Sequence, residues 1–575
     1  MKYNNEMIHK IETSLQGEYI VKGDQLSTIE SMMEETHTTA LSVAVIENSE
    51  LTWSKGYGIT DKVSKSPVNA NTVFQAASIS KPITALAVMK LVEEGKLDLD
   101  VNVNSYLKSW KLPENEYTIN APVTLRNLLS HTAGTSVSGF IGYNNTSHIP
   151  PLIDVLNGAG DANSAKIEVN MKPNTKYRYS GGGTTIVQQV LIDLLNQPFA
   201  EIMKTLVLKP LGMTHSFYKN SLLSDEEAKH IAAGHDSDGN QVLGKYHVYP
   251  EMAAAGLWTT VEDLAKYVIE VQKSLKNQSN KILSKDFIDL MVTPVLHGEY
   301  NIGLANINIL NEHLLGHTGS NIGYKCSMLF HKEAGYGVIM MTNSDLGHKI
   351  KLPLLRSIAA LNNWQSLLRP ELEIQDMPKD ITTLFCHKYK IDIDKSLNIF
   401  SEENSLYYQS FKQDKCELNF VGNNTLIDKH RKVLIKYDHL KKQFFMNDKK
   451  ITVMNSNENL ALDLIKLGSI KEAIHCYKEI IAKSPEVKLS LEKKLVNLAL
   501  DLGERGDRDT AIVILKVALE LSPQSAICWD ILGDFYFETN QFELAIQAMQ
   551  KSLKYDPKNN NAKKIIEDAK QKIAN

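Results

Sequence analysis

A repeat of 34 residues near the C-terminus limits what this chain can fold into more than any other feature of its sequence. Its clearest copy begins near Trp529 and ends at Pro557, and a shift of 34 residues leads back to an equivalent copy that ends at Pro523. A third copy, four residues out of step, ends at Pro485. Small and apolar residues occupy matching positions: Leu460, Ala461, Leu464, Ala473 and Tyr477; Leu495, Leu498, Ala499, Leu502 and Ala511; Leu532, Gly533, Tyr536 and Ala545. A period of this length predicts helix pairs that stack on a shared core.

The residue pattern of these copies resembles the tetratricopeptide repeat. The resemblance implies an all-α array over residues 454–575, with three repeats followed by a polar capping helix at 561–574. Such an array either binds a protein or peptide partner, or only braces the rest of the chain or forms a dimer. Because three repeats form only a small concave face, the sequence leaves both roles open.

A second informative stretch places Ser78 and Lys81 at the start of an apolar helix. Apolar residues recur at helical spacing from Ile83, and Gly95 ends the pattern. Ser78 is therefore expected at a helix N-terminus, where free backbone N–H groups and the helix dipole stabilise an anion. Lys81 follows one turn later on the same face, so the spacing predicts a nucleophile and its base.

The same serine-to-lysine spacing occurs at three other places, where short motifs are often coincidental. These lie in Pro- or Gly-flanked connections or in a charged helical region, and none opens a long apolar helix. We expect solvated surface positions for all three pairs: Ser105 and Lys108, Ser216 and Lys219, and Ser490 and Lys493.

The composition indicates a soluble globular protein and argues against several classes of ligand. The net charge of -4 leaves no basic footprint for nucleic acid or anionic lipid, and no apolar run reaches the length of a membrane span. We expect no cofactor and no metal, since no H-E-x-x-H or similar cluster appears, and His131 is expected to form a buried hydrogen bond.

Residues 1–26 form a leader without a Sec-type apolar core, which predicts a cytoplasmic protein, with export by another signal left open. Five scattered cysteines, never in a C-x-x-C pair, predict buried thiols in a reducing compartment: Cys326, Cys386, Cys416, Cys476 and Cys528.

Strand patterns at both ends of the first 363 residues predict one antiparallel sheet. A hairpin at 40–46 and 51–57 precedes the nucleophile helix. Two strands at 325–330 and 336–342 precede a closing helix at 352–363. If the early hairpin pairs with the late strands, the intervening helices pack on the resulting sheet.

Residues 364–453 have a different pattern, in which short alternating runs are separated by Asn, Asp and Lys turns. This pattern predicts a small β domain without assembled catalytic groups. Its runs lie at 397–400, 405–411, 416–421, 433–437 and 443–446.

Three connections in the first part of the chain are candidates for lining a pocket. Residues 136–163 are rich in Gly, Asn and Ser and either cover a pocket or form a flexible excursion. The glycines at 181–183 would let a neighbouring backbone approach closely. Residues 253–260 lead into an amphipathic helix with Thr260 as the expected N-cap.

Three motifs in a fixed order make the first 363 residues resemble the serine β-lactamase-related family. They are Ser78-Ile79-Ser80-Lys81, Tyr179-Ser180-Gly181 and His317-Thr318-Gly319, with supporting stretches at 128–134, 208–213 and 255–260. The family contains class C β-lactamases, D-Ala-D-Ala carboxypeptidases, and related esterases and peptidases. The resemblance implies an α+β hydrolase domain over residues 27–363, with an antiparallel sheet flanked by helices.

The resemblance also implies a role for each motif. Ser78 would be the acylated nucleophile, Lys81 its basic neighbour and Tyr179 the proton shuttle. The backbone N–H groups of Ser78 and Ser320, the latter just after a His-Thr-Gly turn at a sheet edge, would form the oxyanion hole. The substrate groove would be lined by His317, Thr318, Gly319 and Gly181.

Two positions depart from the β-lactamase pattern. Gly181 stands where an Asn usually supplies an amide to the lysine and the substrate. His317 stands at a position that a Lys usually occupies. A histidine is largely neutral near pH 7 and is a poor fixed partner for a carboxylate. Both changes favour esters or less anionic amides over β-lactams and D-Ala-terminated peptides.

We therefore predict a serine hydrolase of esterase or peptidase type that forms an acyl-enzyme at Ser78 on a small ester or amide, with the repeats as a protein-interaction region. The alternative is a catalytically weak or inactive scaffold whose repeat array binds a protein partner. The missing amide at Gly181 favours the alternative, whereas the presence of Ser78, Lys81 and Tyr179 favours the enzyme.

Overall fold

The computed structural model describes residues 3–144, 147–296, 298–309, 312–368, 370–403, 405–430, 432–557 and 559–574. The chain divides into two compact units, Met1–Ile20 with Asp24–Pro370, and Val21–Gly23 with Glu371–Asn575. Among the described residues, no helix is long and apolar enough to cross a membrane.

The strands of the first unit build an antiparallel sheet from both ends of its sequence. They are β1 (Ala40–Glu47), β2 (Glu50–Gly58), β3 (Phe74–Gln75), β4 (Phe217–Tyr218), β5 (Leu257–Thr259), β6 (Ala305–Ile309), β7 (Glu312–Asn321), β8 (Tyr324–His331) and β9 (Gly337–Thr342). Six form one sheet in the order β2-β1-β9-β8-β7-β6, and β3, β5 and β4 form a small second sheet. Strand β1 pairs with β9, with Leu41 opposite Thr342, so the predicted pairing of the early hairpin with the late strands is confirmed.

Strand β1 is buried on both faces, because side chains alternate across a sheet that is covered on both sides. Ala44 and Ile46 belong to the larger hydrophobic core, whereas Val43 and Val45 belong to a separate core on the other face. The first unit is therefore a three-layer α+β structure, as the sequence predicts.

The helices of the first unit supply the outer layers and one buried centre. They are α1 (Asn5–Thr13), α2 (Ile29–Glu35), α3 (Ser80–Glu93), α4 (Leu125–Leu129), α5 (Leu152–Asn157), α6 (Gly181–Leu195), α7 (Phe199–Met203), α8 (Lys209–Leu211), α9 (Asp225–Ala228), α10 (Met252–Ala255), α11 (Val261–Leu275), α12 (Lys285–Met291) and α13 (Lys351–Asn362). Eleven of the fourteen residues of α3 are buried, so this helix forms a rigid base for the residues at its N-terminus. Thr260 caps α11 by accepting a hydrogen bond from Asp263 N–H, as predicted.

The N-terminal segment predicted as a leader packs within the first unit. Ile11 and Leu15 are fully buried in the same core as Leu354 and Ile358 of α13. The Ser357 hydroxyl also donates a hydrogen bond to Ile11 O at 3.0 Å.

The second unit begins with a closed barrel of eight antiparallel strands. They are β10 (Lys388–Lys390), β11 (Ser396–Glu402), β12 (Ser405–Ser410), β13 (Cys416–Phe420), β14 (Thr425–Asp428), β15 (Leu434–Asp438), β16 (Gln443–Met446) and β17 (Lys449–Val453). The five predicted runs are all strands. The sequence pattern misses β10, β14 and β17.

Helices make up the rest of the second unit. They are α14 (Lys379–Phe385), α15 (Ala461–Lys466), α16 (Ile470–Lys483), α17 (Lys488–Glu504), α18 (Arg508–Leu521), α19 (Ala526–Glu538), α20 (Phe542–Tyr555) and α21 (Asn560–Ala574). The pairs α15/α16, α17/α18 and α19/α20 are the three predicted repeats, and α21 is the predicted final helix. Close packing explains the glycine of the third repeat, because a Cβ atom at Gly533 would lie 2.8 Å from Met549 Cε.

Candidate active site

Ser78 lies in a tight 3-10 turn, Ala77–Ile79, that leads directly into α3. Ala77 adopts a left-handed backbone conformation, with φ of 49°, which is unusual for a residue with a side chain. The Ser80 hydroxyl holds the turn in place, since it donates to Ala77 O at 2.6 Å and accepts from Leu257 N–H at 3.0 Å. The nucleophile candidate is thus presented on a strained, well-anchored turn, a feature often found at active sites.

Lys81 contacts Ser78 directly. Its Nζ atom lies 2.9 Å from Ser78 Oγ and donates a hydrogen bond to Ala254 O at 2.8 Å. Burial lowers the pKa of Lys81 to about 7, and in the described part of the chain no charged partner offsets this burial. A substantial fraction of Lys81 is therefore a neutral amine near pH 7 and can accept the proton of the serine.

Tyr179 completes the group around the nucleophile. Burial raises the pKa of its phenol to about 12, and a hydrogen bond with Ser78 opposes that rise. Lys81 Nζ lies 5.0 Å from the centre of the Tyr179 ring. At neutral pH Tyr179 is thus a phenol that can donate a proton, whereas Lys81 is the stronger candidate for the base.

The His317-Thr318-Gly319 motif lies inside strand β7, which corrects the predicted turn. The motif pairs with β8, with His317 opposite Met328 and Gly319 opposite Cys326. Strand β6 pairs with β7 only as far as Gly316, so among the described strands β8 holds the motif in register. Along the strand His317 and Gly319 are buried, whereas Thr318 and Ser320 are exposed. Local composition suggested a turn, but pairing with β8 overrides the low strand propensity of glycine.

Gly319 allows β7 to pass close to the nucleophile turn. A Cβ atom at this position would lie 2.2 Å from Ala76 O and 3.2 Å from Ala77 Cβ. Only glycine permits this approach, which also brings the neighbouring Ser320 next to the segment that carries Ser78.

His317 is a neutral imidazole in this structure. Its Nδ1 donates a hydrogen bond to Thr318 O at 2.6 Å, which leaves Nε2 as the unprotonated nitrogen. Burial lowers the pKa of His317 to about 3, and nearby Lys81 contributes further. The third motif therefore brings no positive charge to the site at neutral pH.

The predicted close approach at residues 181–183 involves the segment 135–138. Gly181 N–H donates to Ser138 O, and Gly182 N–H donates to Val137 O, each at 3.0 Å. A Cβ atom at Gly181 would lie 3.1 Å from Phe140 Cε2. The start of the predicted insertion thus packs against the N-terminus of α6 and would crowd the Cβ atom of any side chain at position 181.

Two buried residues near the site escaped prediction. Tyr300 packs against His131, with ring centres 4.6 Å apart, and against His317 at 5.9 Å. Glu251 is fully buried at the N-terminus of α10, the helix whose Ala254 carbonyl binds Lys81, and burial raises its pKa to about 8. Neither residue belongs to a recognisable local motif, so no sequence signal could have identified it.

The expected buried hydrogen bond of His131 is present, since its Nδ1 accepts from Ser180 N–H at 3.2 Å. Within the described ranges, no group of three or more His, Cys, Asp or Glu side chains is placed to hold a metal ion.

The fold and the order of the three motifs define a protein of the β-lactamase and penicillin-binding-protein class. The family model described as Beta-lactamase matches residues 27–362, which is more than half of the chain, and a Tetratricopeptide repeat model matches residues 526–559. The chain therefore belongs to the β-lactamase family.

Individual relatives are distant. Protein flp of Staphylococcus aureus (strain N315) is 26% identical over 339 residues, covering 56% of this chain and 63% of that protein. Penicillin-binding protein 4* of Bacillus subtilis is 23% identical over 420 residues, covering 69% of this chain and 89% of that protein. The structure of the octameric penicillin-binding protein homologue from Pyrococcus abyssi is similar in fold, with a TM-score of 0.51 and 23% identity over 75% of this chain and 95% of that chain.

Proposed function

We propose that this protein is a serine hydrolase that forms an acyl-enzyme at Ser78 on a small ester or uncharged amide. The observation that carries the proposal is the 2.9 Å contact between Ser78 Oγ and the buried Lys81 Nζ. Because the pKa of Lys81 is lowered to about 7 by burial, the amine can accept the hydroxyl proton without help from a carboxylate.

The reaction would proceed in two halves. Lys81 takes the proton from Ser78 as Oγ attacks the substrate carbonyl, and the backbone N–H groups of Ser78 and Ser320 stabilise the oxyanion. Tyr179 then donates its proton to the departing alcohol or amine and regains one from the Lys81 ammonium. In the second half, water attacks the acyl-enzyme with the same groups acting in reverse, which releases the acid and restores Ser78.

Two features support a neutral substrate. The imidazole of His317 is uncharged near pH 7 and offers no fixed cation to a carboxylate. A Cβ atom at Gly181, where related enzymes carry an amide side chain, would be crowded by Phe140 at 3.1 Å and the Ser138 carbonyl at 3.2 Å. The exposed side chain of Thr318 would contact the substrate beside the buried His317 and Gly319.

Intact-mass spectrometry after incubation with a panel of activated esters, D-amino-acid amides and β-lactams tests this proposal. We expect a mass increase equal to the acyl group with esters and its absence in Ser78→Ala. A folded wild-type protein that acquires no adduct from any ester would contradict the proposal, and faster turnover of β-lactams than of esters would contradict the substrate class.

We propose that the repeat array binds a protein segment that carries apolar side chains and a carboxylate. A groove of about 480 Å³ is lined by α16, α18, α19 and α20, and Trp529, Leu532 and Tyr536 contribute to its apolar floor. The exposed Lys516 and Lys551 line it together with the exposed Glu520. Aromatic residues beside two lysines suit an acidic amphipathic segment. If Ser78 proves unreactive, this groove favours the scaffold alternative.

Selection of peptides from a random display library tests the groove. We expect an acidic, apolar consensus with wild-type protein and its loss with Lys516→Glu combined with Lys551→Glu. An unchanged consensus in that variant, or selected peptides without carboxylates, would contradict the assignment.

Since all five cysteines are free thiols, we also propose that the protein works in the reducing cytoplasm.

A further inference from the structure

His131 holds both backbone amides that flank Tyr179. Its carbonyl oxygen accepts a hydrogen bond from Arg178 N–H at 2.8 Å, and its Nδ1 accepts one from Ser180 N–H at 3.2 Å. Its ring also packs on the Tyr179 ring, with centres 4.3 Å apart and a tilt of 44°. His131 thus binds the backbone N–H groups of the residues before and after Tyr179 and packs against the Tyr179 ring.

The protonation state of His131 follows from these contacts. Because Nδ1 is an acceptor, the proton of the neutral ring lies on Nε2. Burial lowers the pKa of His131 well below its usual value, and the nearby Lys81 adds to this effect. The Nε2 atom is buried without a hydrogen-bond partner among the described residues, while the ring meets the Tyr300 ring nearly edge-on at 4.6 Å.

The turn that carries His131 is itself firmly anchored. His131 has a left-handed backbone conformation, with φ of 58°. On its C-terminal side, Thr132 N–H donates to Asn127 O, and Asn174 N–H donates to Thr132 O, each at 2.9 Å. Two backbone hydrogen bonds, Asn174 N–H to Thr132 O and Arg178 N–H to His131 O, therefore join the turn at 131–132 to the segment that leads to Tyr179.

We propose that His131 is a positioning residue that fixes the Tyr179 phenol against Ser78. This inference rests on the proposed acyl-enzyme mechanism. An apolar side chain would pack on Tyr179 but leave Ser180 N–H without an acceptor, whereas asparagine would place its Oδ1 near the site of Nδ1 and tolerate the left-handed backbone. The two variants therefore separate the hydrogen bond from the ring contact.

A double-mutant cycle in the full-length protein tests the proposal. Single-turnover acylation by an activated ester is measured for wild type, His131→Leu, His131→Asn, Tyr179→Phe and the His131→Leu/Tyr179→Phe double variant. We expect His131→Leu to slow acylation by about 30-fold with little change in KM, and His131→Asn to recover a large part of that loss. In the Tyr179→Phe background, His131→Leu should cost less than about 3-fold, because the group that it positions is absent.

An equal loss from His131→Leu in both backgrounds would overturn the proposal, since His131 would then act independently of Tyr179. An acylation rate of His131→Asn no higher than that of His131→Leu would also overturn the proposal. Thermal unfolding of each variant identifies misfolding. If His131→Leu misfolds, acylation is compared between wild type and His131→Asn, which tolerates the left-handed backbone.

A second measurement separates this proposal from the proposed function. Hydrogen exchange of the peptide 174–184, without substrate, should be faster in His131→Leu than in His131→Asn and wild type, because Ser180 N–H loses its acceptor. Unchanged exchange would contradict the positioning role even if the enzyme is active. Absence of any acylation in wild type, with exchange behaving as expected, would instead contradict the hydrolase.

Discussion

Lys81 Nζ lies 2.9 Å from Ser78 Oγ and 2.8 Å from Ala254 O, so the lysine links the proposed nucleophile to helix α10. The lysine is almost completely buried, with 3% of its surface exposed. An ammonium in such surroundings is poorly solvated, which is why its pKa falls to about 7 and why it can act as a base.

The first prediction concerns the pH dependence of acylation. The rate should rise with pH through an apparent pKa near 7, because Lys81 must lose its proton before it can accept one from Ser78. Lys81→Arg should reduce acylation by at least about 100-fold at every pH, since a guanidinium stays protonated. The matched control Lys90→Arg, on the same helix, should retain the wild-type profile, and a flat wild-type profile from pH 5 to 9 would contradict the assignment of Lys81 as the base.

The second prediction concerns the stability of Lys81→Met. Burial lowers the pKa of Lys81 in the folded state below its unfolded value, so the folded protein bears the full cost of the buried ammonium below pH 7. Removing the charge should raise the free energy of unfolding most below pH 7, and the gain should shrink as pH rises toward the unfolded pKa. Denaturant unfolding at pH 6 and pH 9 measures this difference; a larger gain at pH 9 would have the wrong sign.

The third prediction concerns Glu251, whose two carboxyl oxygens are buried without a hydrogen-bond partner among the described residues. Because burial raises its pKa to about 8, the group lowers stability progressively as pH rises from its unfolded pKa to about 8. Glu251→Gln should therefore stabilise the protein at pH 8 and have little effect near pH 4. The exposed Glu333 offers a control, and Glu333→Gln should change stability little at either pH.

The fourth prediction tests why glycine occupies position 181. Gly181→Asn should lower the unfolding temperature, because its Cβ atom would lie 3.1 Å from Phe140 Cε2 and 3.2 Å from Ser138 O. Adding Phe140→Ala should restore part of the loss by making room for the side chain. If Gly181→Asn alone is as stable as wild type and gains β-lactam turnover, the steric explanation for this departure is wrong.

The fifth prediction concerns the second unit, where Asp394 is fully buried. Its carboxylate accepts a hydrogen bond from Tyr477 Oη at 2.8 Å and forms an ion pair with Lys494. Lys494→Met should destabilise this unit by about 1–3 kcal/mol, since the buried charge loses its counter-ion while the lysine itself is partly exposed to solvent. The exposed neighbour provides the control: Lys493→Met should change the unfolding midpoint little, and equal effects of the two substitutions would contradict this account.

Some parts of this structure follow from local residue patterns, and others depend on contacts between distant residues. The repeats, the strands β1, β2, β8 and β9 and the start of α3 are predicted because their residue patterns are local and periodic. The position of His317 within a strand is not, because pairing with Met328 of β8 decides it, while Gly316 and Gly319 have the low strand propensity that is typical of a turn. Tyr300 and Glu251 were missed for a related reason, since a lone tyrosine or glutamate becomes notable only when burial removes its solvent.

By itself, the sequence determined the α+β class of the first unit, the helical repeats and the identity of the motif residues, because spacing along the chain encodes which side chains share a face. Tertiary structure alone decided the chemical state of those residues. Burial without a charged partner sets the pKa of Lys81, and hydrogen bonds to backbone groups distant in sequence set the tautomer of His131. Solvation and long-range contacts depend on what surrounds an atom in space, which residue spacing does not specify.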